Sequence, residues 1–142
     1  MRYQEFAPGA AASRFVQCYW ALEHAQPGAV QRVVPDGSPE LILNLGRPFE
    51  TLREGVWHAQ PQCFLAGQMT GPLLLRAPGP SHVVGVRFHP SAAGQLLAMP
   101  AQELTDRCVA LNDLGLNQLA DRVDLPHIEQ ALLERHPRKE DP

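Results

Sequence analysis

An α+β fold is the class this sequence predicts, a mainly antiparallel β barrel or sandwich followed by carboxy-terminal helices. Three observations predict it. Short runs in which apolar residues recur at every second position fill the amino-terminal part of the chain, as half-buried strands require. Of the 14 prolines and 11 glycines among the 142 residues, 11 and 10 fall within the first hundred, which suits many short strands better than long helices. Beyond Pro90 the apolar period changes from two to 3.6, and an order of strands first and helices last is an α+β order.

The segment 32–46 anchors the strand reading. Pro35-Asp36-Gly37 is turn chemistry: Pro presets φ, Asp bonds its own backbone and Gly tolerates positive φ. Leu41, Leu43 and Leu45 then alternate with Glu40, Ile42 and Asn44, and Pro48 stops the run. Before it, residues 15–23 form a strand with Val16, Cys18, Trp20 and Leu22 on one face, and residues 32–34 a short one. After it, Leu52, Val56 and Trp57 flank Glu54-Gly55 as a hairpin, and the apolar runs 63–70 and 73–76 are separated by Gly71-Pro72. Residues 83–89 put Val84, Val86 and Phe88 on one face and Val83, Gly85, Arg87 and His89 on the other.

Residues 1–110 are thus expected as the β-rich unit, with a short helix at 91–99 capped by Ser91 and stopped by Pro100. Residues 111–136 carry helices: Leu116, Leu119, Ala120 and Val123 recur at helical spacing, as do Ile128, Ala131 and Leu132. The polar, proline-bounded residues 137–142 read as a linker, as though the chain were part of a longer protein.

Composition sets bounds on function. With 12 Lys and Arg against 15 Asp and Glu, net charge −3, the chain lacks the concentrated basic surface that phosphate backbones demand. Cys18, Cys63 and Cys108 are widely spaced and contain no C-x-x-C, so neither a disulfide framework nor a zinc knuckle is implied. No apolar run approaches a membrane span and no leader is evident, so a soluble, cytoplasmic protein without membrane contact is expected.

Several segments in order resemble a known family. Pro35-Asp36-Gly37 with Glu40-Leu41-Ile42-Leu43-Asn44-Leu45-Gly46, then Leu65-Ala66-Gly67-Gln68, Gly85-Val86-Arg87-Phe88-His89-Pro90, and Leu97-Ala98-Met99-Pro100 with Glu103-Leu104-Thr105-Asp106-Arg107 are similar to the amino-terminal regulatory domain of AraC-type transcriptional regulators. The resemblance spans residues 3–133. It implies a cupin-like sensor and dimerisation domain that precedes two helix-turn-helix units. Those units are absent here, since about thirty residues follow Asp113 and two such units need on the order of a hundred.

A cupin-like fold raises the question of metal. No H-x-H occurs, and His82 and His89 stand an odd number of residues apart, so a regular strand sends them to opposite faces. No metal and no other cofactor is expected. Ser13, Ser38, Ser81 and Ser91 lie outside any nucleophile elbow, so no catalytic residue is assigned. The ligand candidates are Arg87, Glu40, Asn44, Gln68 and Trp20. Arg87 shares a face with Gly85, where a missing side chain leaves room for a ligand or another backbone. Its guanidinium either meets an anionic ligand in a pocket or, as most charges do, faces solvent or neutralises Glu40 or Asp36. Trp20 is a packing residue or a pocket wall.

The helical stripe has two readings as well. Leu116, Leu119, Val123, Ile128 and Leu132 either pack on the sheet or form a homodimer interface. The function expected is an effector-sensing or dimerisation domain of an AraC-type regulator, neither catalytic nor itself DNA-binding. Its partners would be a small-molecule effector and a second copy, with DNA reached only through the absent helix-turn-helix domain. The alternatives are a free-standing cupin-like barrel that acts as an enzyme or small-molecule-binding protein, and a purely structural dimerisation module.

Overall fold

The strongest alternations in the sequence become the centre of one sheet. In the computed structural model, which describes residues 2–25, 28, 30–33, 37–90, 92 and 101–135, strands β1 (Arg2–Phe6), β2 (Val16–His24), β4 (Glu40–Asn44), β7 (Cys63–Ala66), β9 (Ser81–Phe88) and β10 (Cys108–Ala110) form one antiparallel sheet. Its spatial order is β1-β2-β9-β4-β7-β10. A second antiparallel sheet has the order β3-β8-β5-β6, from β3 (Gln31–Val33), β8 (Leu73–Arg76), β5 (Glu50–Arg53) and β6 (Val56–Ala59). The two remain separate sheets among the described residues, so the β architecture is a sandwich. The β5–β6 hairpin turns at Glu54 (φ 52°) and Gly55 (φ 77°), the left-handed pair that a two-residue turn needs.

The hydrophobic core lies outside the sandwich. Tyr19, Leu41, Leu43, Leu65, Val84, Val86 and Phe88 all project from one face of the six-stranded sheet, and each is buried. Helices α1 (Leu111–Leu114), α2 (Gln118–Asp121) and α3 (Leu125–Arg135) cover that face. Leu111, Leu116, Leu119, Ile128 and Leu132 are at most 3% exposed, and burial of each contributes roughly 1.5–3 kcal/mol. The helices are therefore integral to the fold. Gly115 (φ 68°) ends α1 in the left-handed conformation. α3 starts where the Asp124 carboxylate accepts the His127 N–H at 2.9 Å, with Pro126 in the first turn.

Four of the helical residues named as dimer candidates, Leu116, Leu119, Ile128 and Leu132, are at most 1% exposed within this single chain, and Val123 packs against the same cluster. Of the two readings of the stripe, the contacts seen are those with the sheet. No described helix is long and apolar enough to cross a membrane.

Three local differences from the sequence reading have physical causes. A bulge between Val16 and Cys18 puts Val16 with Tyr19 on the helix side, leaving Cys18, Trp20 and Leu22 on the other face. β4 ends at Asn44, so Leu45 is 42% exposed instead of joining Leu41 and Leu43. β1 and β10 are strands that the apolar pattern does not mark. The short helix expected at 91–99 lies outside the described residues except for Ala92, which is helical and buried, as do Pro35, Asp36 and the expected linker 137–142.

Candidate functional site

Because the helices take one face of the six-stranded sheet, its other face looks toward the four-stranded sheet. The strand register sets that face out in rows. Trp20, Gly85, Ile42 and Phe64 lie side by side across β2, β9, β4 and β7. Cys18, Arg87, Glu40, Ala66 and Cys108 form the adjacent row, and Leu22, Val83 and Asn44 the row on the other side. Between the sheets is a cavity of about 540 Å³, walled on one side by Trp20, Leu22, Glu40, Ile42, Phe64 and Val83, and on the other by Leu73 and Leu75 of β8. That volume is in the range of about 300–1,000 Å³ typical of small-molecule sites.

At one end of this face is a polar cluster. The Trp20 indole Nε1–H donates to Glu40 Oε1 at 2.7 Å. Arg87 stands between two carboxylates, with Nε 3.8 Å from Glu40 Oε2 and Nη1 3.7 Å from Glu5 Oε2. Its Nη1 also donates weakly to Cys18 Sγ at 3.7 Å, while the buried Nε finds no hydrogen-bond acceptor among the described residues. Burial opposes the charge on Arg87, but Glu40, Tyr3 and Cys18 together outweigh it, so its proton is held more tightly than usual. Burial likewise pushes the Cys18 thiol up, against the pull of Arg87. Tyr3 stacks on Trp20 with ring centroids 6.2 Å apart, and its hydroxyl donates to Glu5 at 2.8 Å.

The ligand candidates thus separate. Trp20 and Glu40 line the cavity and are hydrogen-bonded to each other. Arg87 lies beside them, paired with Glu40 and Glu5. Asn44 is 2% exposed and accepts the Gly46 N–H at 2.9 Å, which fixes the turn after β4. Gln68 donates to the Gly37 carbonyl at 2.6 Å. Those two side chains bind backbone and are not among the cavity's lining residues. The room beside Gly85 is filled by the Trp20 indole, which lies over the β9 backbone. Phe64, Leu73 and Leu75 were missed by the sequence reading, since nothing in an apolar run separates a cavity wall from a core.

The β10 side of the cavity is bordered by a hydrogen-bonded latch. Met69, Gly71 and Pro72 line it together with Asp106, Arg107 and Cys108. Thr70 donates its N–H to Asp106 Oδ1 at 2.8 Å and its hydroxyl to Oδ2 at 2.5 Å. Asp106 adopts φ 57°, which a short polar side chain tolerates better than most. These bonds from the Thr70 side chain and backbone hold the Asp106 carboxyl below its usual pKa. A lowered folded-state pKa stabilises the protein above the ordinary carboxylate range and is lost as pH falls through the folded value. We expect the urea midpoint of Asp106→Asn, which keeps a side chain suited to the left-handed backbone, to lie below that of the wild type at neutral pH and to converge on it in acid, and a pH-independent gap would exclude a charge-assisted latch. Among the described residues, no three His, Cys, Asp or Glu side chains converge as a metal ion would require.

Residues 4–110 match the family model described as a domain of unknown function, DUF6597. The chain belongs to the DUF6597 family. The matched region holds most of both sheets and ends on the last residue of β10, so the cavity lies within the family domain and the three helices follow it. No curated protein and no solved structure matches the chain significantly.

Proposed function

We propose that this DUF6597 chain is the effector-sensing domain of an AraC-type transcriptional regulator, neither catalytic nor DNA-binding by itself. The observation that carries the reading is the cavity on the face of the sheet opposite the helices. β2 belongs to both sides. Trp20 is in the cavity wall, while its neighbour Tyr19 is buried against the helices and donates its hydroxyl to Glu129 Oε1 of α3 at 2.6 Å. The same oxygen accepts the Gly9 N–H at 2.9 Å, tying the amino-terminal loop to α3. Burial, then the bond to Glu129, pushes the Tyr19 pKa far up, so the phenol remains a donor.

A ligand that binds one placement of β2 better than another shifts the position of α3 by its difference in affinity. A DNA-binding segment joined beyond α3 would read that shift. Support for the regulator reading comes from the order of the motifs from Pro35 to Arg107. The test is the coding DNA beyond the codon for Pro142. Two helix-turn-helix patterns with basic recognition helices would support it, and a stop codon would overturn it.

The coupling has its own test. Tyr19→Phe removes one hydrogen bond to a charged group and should cost about 1.5–3 kcal/mol. A ligand that protects β2 amides from hydrogen exchange should then fail to protect α3 amides in the variant. Equal protection of α3 in both proteins would mean that the bond transmits nothing.

A further inference from the structure

We propose that the inter-sheet cavity takes an uncharged, largely apolar molecule and discriminates against organic anions; this rests on the reading of the cavity as a ligand site. The wall is aliphatic and aromatic on both sheets, with Ile42, Phe64 and Val83 facing Leu73 and Leu75. Its charged lining groups among the described residues are two carboxylates, Glu40 and Asp106, and one guanidinium, Arg107.

Among the described residues, neither sign of charge is offered a buried, unpaired partner. Arg107 is exposed, so its charge stays screened by water, and it donates to the Glu103 carbonyl at 3.1 Å. Arg87, which lies beside Glu40 on the same face, is flanked by Glu40 and Glu5, so an anion approaching it would meet two carboxylates. An anion leaving water for this space would surrender its hydration without an equivalent ion pair, which is costly. A cation fares little better: the Glu40 carboxylate already accepts from Trp20 and pairs with Arg87, and Asp106 accepts two bonds from Thr70. Ser38 and Gln60 also line the space and suit the neutral heteroatoms of an uncharged ligand.

A matched pair of fluorescent probes tests this on the full chain. N-phenyl-1-naphthylamine is uncharged, and 1-anilinonaphthalene-8-sulfonate is the same skeleton with a sulfonate. The neutral probe is expected to bind saturably at one site per chain, at least about tenfold more tightly than the sulfonate. Filling the cavity from either wall, by Ile42→Trp or Leu75→Trp, should abolish its binding, and either variant that retains cooperative unfolding serves. Glu40→Gln should narrow the ratio by strengthening the sulfonate.

The two ways of failing are distinct. If the sulfonate binds as tightly as the neutral probe and both are lost on filling the cavity, the charge inference is wrong and the ligand site stands. If neither probe binds, or filling from both walls changes nothing, the cavity reading falls and the inference with it.

Discussion

Gly67→Val should be among the most destabilising single substitutions in this chain, at about 3–5 kcal/mol. A Cβ on Gly67 would fall on the backbone carbonyl of Leu104, in the 3-10 turn Ala101–Leu104. Flexible side chains can swing away from an added methyl, but a carbonyl moves only with its segment. Overpacking of this kind costs typically 1–3 kcal/mol. The displaced segment carries the Arg107 carbonyl that accepts the Gly67 N–H at 3.0 Å and the Asp106 N–H that donates to the Gln68 carbonyl at 2.7 Å. It also holds the Asp106 carboxylate that latches Thr70. Each bond lost adds about 1 kcal/mol. Domains of ordinary stability have only about 5–15 kcal/mol in total, so the variant should unfold at much lower urea. Gly71→Ala is the control, because nothing lies within 4 Å of its added Cβ, and it should shift stability by no more than about 0.5 kcal/mol. Equal midpoints for the two variants would mean that the 101–107 segment does not seat on Gly67.

How far the sequence could be read follows from which faces are fully buried. β4 and β9 were legible because Leu41, Leu43, Val84, Val86 and Phe88 all meet the helices, so alternation there is strict. β1 was illegible for the opposite reason. All five of its residues are exposed, and it is held by its ladder to β2 and by Tyr3 on Trp20, neither of which leaves an apolar pattern. β10 has three residues and depends on pairing with β7. The cavity was only half legible. Glu40, Trp20 and Arg87 stood out as polar or amphipathic groups in apolar strands, and the register places them in adjoining rows. Which face they shared with a cavity depended on where the helices dock, and that is settled by packing between segments far apart in sequence. Asn44 and Gln68 stood out by the same signal but serve turns and loops, because a polar residue at a strand end has backbone groups within reach.

Gly85→Val tests the arrangement on which the cavity wall depends, with an expected cost of about 2–4 kcal/mol. Gly85 sits at the centre of the six-stranded sheet, paired with Trp20 on β2 and Ile42 on β4. Any Cβ there would overlap the six-membered ring of the indole. Trp20 would have to turn away, losing the bond from Nε1 to Glu40 at 2.7 Å and the stack on Tyr3. Strain from overpacking costs about 1–3 kcal/mol, and a hydrogen bond to a charged group about 1.5–3. Partial relief is available because the cavity gives the displaced ring somewhere to go, which is why the total stays below the simple sum. A double-mutant cycle separates this cause from any general intolerance of a β-branched residue at that position. With Trp20→Ala already in place, Gly85→Val meets no ring and should cost at least about 1 kcal/mol less than it does alone. Additive costs would exclude the contact. A coupled pair would establish that the glycine is required by the indole lying over β9, and that Trp20 is held in the wall by the strand beneath it.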